Sequence, residues 1–196
     1  MIIDFDAFIL LVLVLLWIAI LFVLKFKYKK ENIKLIFLSI FYIYLCFVLK
    51  YTQFPIIIDE EMKNVIGQNI WRDANFIPFY HIKNAFKTTF LNTLMTIPFG
   101  FGLPFISKIN VKKLLFLSLV FCFSLEFLQL MVALLVGFTF RVLDINDIIF
   151  NFIGILIGYS MYHIFISFIN YVINKFMIEP NLFIQFIVNT KNKKEG

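Results

Sequence analysis

The sequence predicts an all-α, polytopic integral membrane protein of about five transmembrane helices. Three observations predict it. The 196-residue chain is 62% hydrophobic, contains 28 Phe and is only 15% charged; a soluble domain of this size has no interior able to enclose so much apolar surface, whereas lipid solvates it. The apolar residues gather into five long runs, Phe8 to Leu24, Leu35 to Leu49, Phe90 to Ile106, Leu114 to Gly137 and Ile148 to Ile173, and a helical crossing takes about 17 to 25 residues. None of the runs has the alternating pattern of a membrane strand, which excludes a closed barrel.

Each element follows from its residues. The first run is preceded by no basic segment and followed by lysines rather than a small-residue cleavage site, so it reads as a retained anchor and not as a signal peptide. The second is short and is expected to continue towards Phe54, with Lys50 snorkelling to the interface. A long loop from Tyr51 to Thr88 comes next, and its stretch Trp71 to His81 is crowded with aromatics. Pro78 excludes a regular helix interior there, and Trp and Tyr favour the head-group level. In the third run Pro98 removes a helical hydrogen bond beside Gly100 and Gly102. The tail from Phe176 to Thr190 is too short to span, and with Pro180 near its start it suits an amphipathic helix in the interface. Residues 1–54 thus form two N-terminal spans, 55–173 a core of outer loop plus three spans, and 174–196 a cytoplasmic tail.

The net charge of +6 does not call for nucleic acid, because its distribution explains it. Twelve of the 18 basic residues lie in the Lys25–Lys34 loop, around Lys108, Lys112 and Lys113, or near the C-terminal end. By the positive-inside rule that side is cytoplasmic, which puts the N-terminus outside, together with the loops Tyr51 to Thr88 and Phe138 to Asp147. Attraction to anionic head groups is the alternative reading of the same charges, and setting orientation is the favoured one. The only cysteines, Cys46 and Cys122, both fall inside predicted spans and read as packing residues rather than a disulfide or metal site.

Function is to be sought where polar residues enter the apolar runs, since a charge at mid-membrane costs about 2.5 to 3.5 kcal/mol on insertion scales. In the last run Arg141, Asp144, Asp147, Asn151, Gly154 and Gly158 are spaced 3, 3, 4, 3 and 4 apart, one face of a helix if the segment is helical throughout. Gly154 and Gly158 form a small-xxx-small contact that permits close helix approach. In the fourth run Ser118, Cys122, Glu126, Gln129, Ala133 and Gly137 share a face. The third run presents Thr89, Thr93, Thr96 and Gly100, with Asn92 beside them. Turning the three stripes inward buries one polar seam. Interhelical hydrogen bonding accounts for Asn92, Gln129 and Asn151 as well as ligand binding does, whereas Glu126, Arg141, Asp144 and Asp147 together favour a site. Asp144 and Asp147 also suit a helix N-terminus. His81 is a candidate outer acid or base, and His163 lies off the glycine stripe.

These residues, in this order, resemble the VanZ-like family of bacterial membrane proteins. The resemblance runs from Asn75-Phe76-Ile77-Pro78-Phe79 through Asn92, Pro98-Phe99-Gly100 and Glu126-x-x-Gln129. It ends at Arg141-x-x-Asp144-x-x-Asp147-x-x-x-Asn151-x-x-Gly154-x-x-x-Gly158, and so covers Asn75 to Tyr159. Phe76 stands where the family usually has Leu. The resemblance implies a multi-pass protein of the plasma membrane of Gram-positive-type bacteria, in a family whose founding member is associated with teicoplanin resistance.

Three functions compete. One is a non-enzymatic envelope or resistance protein whose seam opens to the outer leaflet. It would bind a membrane lipid, a lipid-linked wall precursor or a lipophilic glycopeptide through Asn75, Asn92, Gln129 and Asn151, with Trp71 and Arg72 at the lip. Another is an intramembrane enzyme on a lipid-linked substrate, with Glu126, Asp144 and Asp147 as acid and base and Arg141 steadying an anionic head group. The third is a lipid-flipping transporter, against which the lack of an internal repeat counts. No nucleophile motif, nucleotide loop, cofactor signature or complete metal-ligand motif is present, so no cofactor or metal is expected.

Overall fold

The computed structural model describes residues 1–67, 74–80, 86–138 and 143–192. Among them are seven helices: α1 (Ala7–Phe26), α2 (Asn32–Gln53), α3 (Glu60–Ile66), α4 (Phe86–Ile106), α5 (Val111–Val136), α6 (Ile145–Phe176) and α7 (Leu182–Asn192). Five of these, α1, α2, α4, α5 and α6, are long and apolar enough to cross a membrane. They are the five runs of the sequence, and α2 continues to Gln53 as expected, with the Lys50 ammonium over the Phe5 and Tyr51 rings. A short antiparallel ribbon, β1 (Ile2–Ile3) with β2 (Ile56–Ile57), ties the N-terminal residues to the end of α2.

The bundle has a tight centre and a loose edge. The centre is α4 against α6, the most extensive helix pair. The two run parallel, since Thr93 meets Gly154 and Ile97 meets Gly158 in the same order. α5 closes one side through a core of Phe99, Leu103, Ile109, Leu114, Cys122 and Ile155, with the Phe99 and Phe121 rings stacked at 4.0 Å. At the edge, α1 buries no residue. It meets α2 through the Trp17 and Tyr42 rings, stacked at 4.4 Å, and through the Tyr42 hydroxyl, which donates to the Leu13 carbonyl at 2.8 Å. The exposed Leu, Ile, Val and Phe of α1 face what lipid would solvate.

The tail helix forms, but it packs on the bundle as well as being amphipathic. Ile187 of α7 joins a cluster with Phe105, Tyr162 and Ile166. The Tyr162 and Thr190 hydroxyls lie 2.7 Å apart, and the Phe37 ring stacks against Phe183 and Phe186. Cys46 and Cys122 are both free.

Candidate functional site

The scaffold of the site is a backbone-to-backbone contact. A Cβ added at Gly100 would lie 1.9 Å from the Ile155 carbonyl oxygen, one at Gly154 2.2 Å from that of Thr93, and one at Gly158 2.0 Å from that of Ile97. No side chain fits in those gaps, so glycine is what lets α4 and α6 touch. Thr96, fully buried, uses the proximity: its hydroxyl donates to the Asn151 carbonyl at 2.8 Å. Since these contacts fix α4 on α6 to within a side chain's width, polar groups one turn further along face each other reproducibly.

That next turn is the N-terminus of α6, where the structure decides between the two readings of Asp144. The helix starts at Ile145, and Asp144 is extended (φ −128°) as its N-cap. Asp144 therefore does not continue the helical stripe, because a capping residue must leave helical geometry for its side chain to reach the free amides. Its Oδ1 accepts from the Asn146 main-chain N–H and from the Asn75 carboxamide, both at 2.8 Å. Asn75 is clamped further by an isolated parallel bridge: its N–H donates to the Leu143 carbonyl at 2.8 Å, and its carbonyl accepts from the Ile145 N–H at 2.9 Å. Asn146 completes the clamp, accepting from the Phe79 N–H at 2.6 Å and donating to the Tyr80 carbonyl at 3.2 Å. The segment around Pro78 is non-helical, as the proline requires, and its backbone groups are paired by α6 instead.

Below the cap lies a carboxylate cluster. Asp147, in the first turn of α6, sits within hydrogen-bonding reach of the Asn92 carboxamide of α4 and beside Asp144. Glu126 of α5 is only 2% exposed, faces the Asp144 main chain and the Asp147 carboxylate, and has an Oε2 with no hydrogen-bond partner among the described residues. Asn151 is equally buried, and its Oδ1 also lacks a partner among them. The Glu126 face of α5 is the buried one, with Ser118, Cys122 and Ala133 above and below it. Orphaned polar atoms at this depth are expensive, worth about 1–3 kcal/mol each. Two of them beside two further carboxylates make a site poised for a proton or a ligand donor.

A cavity of about 880 Å³ leads to this cluster. Asn92, Gln129, Asp144 and Asp147 form its polar end, and Tyr44, Val48, Met95 and Pro98 its apolar wall. At its rim Phe47, Tyr51, Leu91 and Leu94 are 45–67% exposed on the outer surface of α2 and α4. Pro98 has no N–H to offer the carbonyl one turn back, which belongs to Leu94, another lining residue. Glu126 and Asn151 stand behind the polar end rather than on its surface, and Asn75 acts through Asp144. Among the described residues no group of three or more His, Cys, Asp and Glu is arranged to hold a metal ion.

The motif residues thus converge, and comparison with known families agrees with them. The model of the VanZ/LLP1 family matches residues 8–166. The chain belongs to the VanZ/LLP1 family. The match takes in α1 and α2 as well as the Asn75–Tyr159 segment that carries the motifs, and it makes this a VanZ-like, multi-pass membrane protein. No curated protein and no solved structure matches the chain.

Within this VanZ/LLP1 chain the structure brings together Asn75, Asn92, Glu126, Gln129, Asp144, Asp147 and Asn151, on the scaffold of Pro98, Gly100, Gly154 and Gly158. Trp71, Arg72, His81 and Arg141 lie outside the described residues. His163 packs its ring edge-on against Tyr159 and Tyr162, at the other end of α6 from the acids. Sequence reasoning missed Asn146, Tyr44 and Gln53. Asn146 breaks the stripe's spacing, but Asp-x-Asn at a helix start is a capping signal that was there to be read. Gln53, 7% exposed with an unpartnered Oε1, ends α2, and its polarity was hidden by the aromatic run before it.

Proposed function

We propose that this VanZ-like protein takes an amphiphile from the membrane into the α2–α4 cavity and holds its polar head on Asn92, Gln129, Asp144 and Asp147. The carrying observation is the cavity itself, apolar at a membrane-facing rim and acidic at its inner end. An apolar chain enters without leaving a lipid-like environment, and the carboxylates and amides at the end accept hydrogen bonds from hydroxyl or amino groups. Lipid-linked wall precursors and lipophilic glycopeptides such as teicoplanin both have that character: a long hydrocarbon chain and a head rich in hydroxyl and amide donors. With the lysine-rich ends cytoplasmic, the acidic end belongs to the outer leaflet of a bacterial plasma membrane, and the role is in envelope homeostasis or glycopeptide resistance.

A specific observation favours a second reading, an intramembrane hydrolase or transferase. Among the described residues Glu126 keeps an unpartnered buried oxygen beside Asp147, the arrangement in which one carboxyl holds a proton and the other accepts one. Arg141, three residues before Asp144 in sequence, would steady an anionic group of the substrate.

Mass spectrometry of lipid and wall-precursor pools, in cells with and without the protein, separates the readings. Unchanged pools with altered glycopeptide sensitivity fit binding, and a new covalent product fits catalysis. If neither changes, and a photoreactive lipid analogue crosslinks no residue of the cavity rim, the amphiphile reading is wrong. Cysteine placed at position 65 should label from outside intact cells and at position 193 should not; the reverse moves the site to the cytoplasmic leaflet.

A further inference from the structure

The opposite, lysine-rich end of the bundle carries two further spaces, the second of which shares Tyr44 and Pro98 with the cavity that leads to the acidic cluster. One is a pocket of about 300 Å³ between the α1–α2 connection, the α4–α5 turn and α7. Lys29, Lys30 and Lys34 line it from the α1–α2 side and Lys108 from the α4–α5 side, with Ser107 as a neutral donor and Glu31 as its one carboxylate; the Thr190 hydroxyl, also on its wall, donates to the Ile187 carbonyl at 2.6 Å. Lys113 braces that turn, its ammonium donating to Ser107 Oγ at 2.8 Å and to the Lys108 carbonyl at 3.0 Å. The other space is a groove of about 400 Å³ between α2, α4, α6 and α7, walled by Phe37, Ile40, Phe41, Phe101, Phe165 and Phe183. Phe105 lines both spaces, and α7 closes both, through Phe186 and Thr190 on the pocket and Phe183 and Ile187 on the groove. Ile40 and Phe183 are 60% and 47% exposed, so the groove is open along its length to the membrane-facing side.

We infer that this end binds an anionic phospholipid of the leaflet that meets it, with the phosphate among the lysines and an acyl chain in the phenylalanine groove. The pocket alone would suit any soluble phosphate, and scattered lysines alone would give only diffuse attraction to a charged surface. A lipid is the occupant that uses both spaces, because its phosphate and chain are joined at the level where Phe105 joins pocket to groove. The groove has almost nothing to hydrogen-bond water, so hydrocarbon fills it at lower cost. The site also assigns a role to α7, which the amphiphile reading leaves unused: it is the wall that turns an open corner into a clamp.

The experiment is native mass spectrometry of the full-length protein, delipidated in neutral detergent and titrated with phosphatidylglycerol or phosphatidylcholine of identical chains. Phosphatidylglycerol should bind at least about tenfold more tightly, as expected for several lysines acting on one head group. Combined Lys30→Gln, Lys34→Gln and Lys108→Gln should bring it down to the phosphatidylcholine level. Ile40→Trp, which fills the groove and leaves every charge in place, should weaken both lipids. Equal affinity of the unaltered protein for the two lipids overturns the proposal, and that result needs no variant to fold. Displacement of the lipid by millimolar inorganic phosphate would make this a soluble-anion site, and an unaffected Ile40→Trp would make it a charge patch; either result refutes the lipid site.

Discussion

Helix α4 has two contacts of opposite kind. Towards α6 it offers Gly100 to a partner carrying Gly154 and Gly158, and backbones meet with no room for a methyl group. Towards α2 it offers Leu91, Leu94, Met95 and Pro98 to Tyr44, Phe47 and Tyr51, and spaces of about 880 and 400 Å³ remain. Tyr44 and Pro98 line both spaces, and between them the Tyr44 hydroxyl donates to the Met95 carbonyl at 2.9 Å. In lipid there is no hydrophobic drive to close such a gap, because the hydrocarbon outside is as apolar as the walls. Small residues therefore make a rigid joint, large ones hold helices apart, and a single helix supplies both the frame and the binding space.

The largest effect should come from breaking the tight side. Gly154→Leu forces a side chain against the Thr93 carbonyl, and since the obstacle is backbone the cost should reach or exceed the usual overpacking range of about 1–3 kcal/mol. Thermal unfolding in detergent, followed by size-exclusion fluorescence, should show a large loss of monodisperse protein. Intact assembly would mean that α4 and α6 do not meet there.

Next come changes to the charged residues of the motif. Glu126→Gln, Asp147→Asn and Arg141→Lys should each remove activity in a resistance or envelope-stress assay at normal membrane abundance. Gln and Asn keep size while losing the carboxylate, and Lys keeps charge while losing the bidentate fork. Full activity in all three would make the cluster structural. Filling the loose side is subtler: Met95→Trp should cut capture of a photoreactive lipid while leaving thermal stability close to the parent. A stability loss as large as that of Gly154→Leu would show that the cavity is not empty space available to a ligand.

Thr96→Val sharpens the comparison from the tight side, because it deletes the hydrogen bond to the Asn151 carbonyl and keeps the shape. Interhelical bonds in membranes average about 0.6 kcal/mol and reach about 1.7, so a small fall in melting temperature is expected, with activity retained. His163→Ala should have the least effect on activity, since its ring packs against Tyr159 and Tyr162, far from the acids.

Much of this was legible in the residues themselves. Hydropathy alone located the five spans, because burial in lipid depends on each segment's own composition rather than on its neighbours. Helical spacing alone put Glu126 on the buried face of α5 and Asn151, Gly154 and Gly158 on that of α6, because 3.6 residues per turn leaves few options. Pro78 marked its segment as no regular helix interior, although Pro98 and Pro104 are accommodated inside α4. For Asp144 two readings stayed open, stripe or helix N-terminus, because periodicity cannot tell a first-turn residue from a cap: the difference is one residue's φ and ψ, and the structure makes it the N-cap. The cavity has no sequence signature either, since Tyr44, Phe47, Leu91 and Pro98 would read the same in a closed interface. Local chemistry thus determined which segments enter the membrane and which faces turn inward. Only the tertiary structure decided which faces touch and which stay apart, because that depends on the joint shape of side chains distant in sequence.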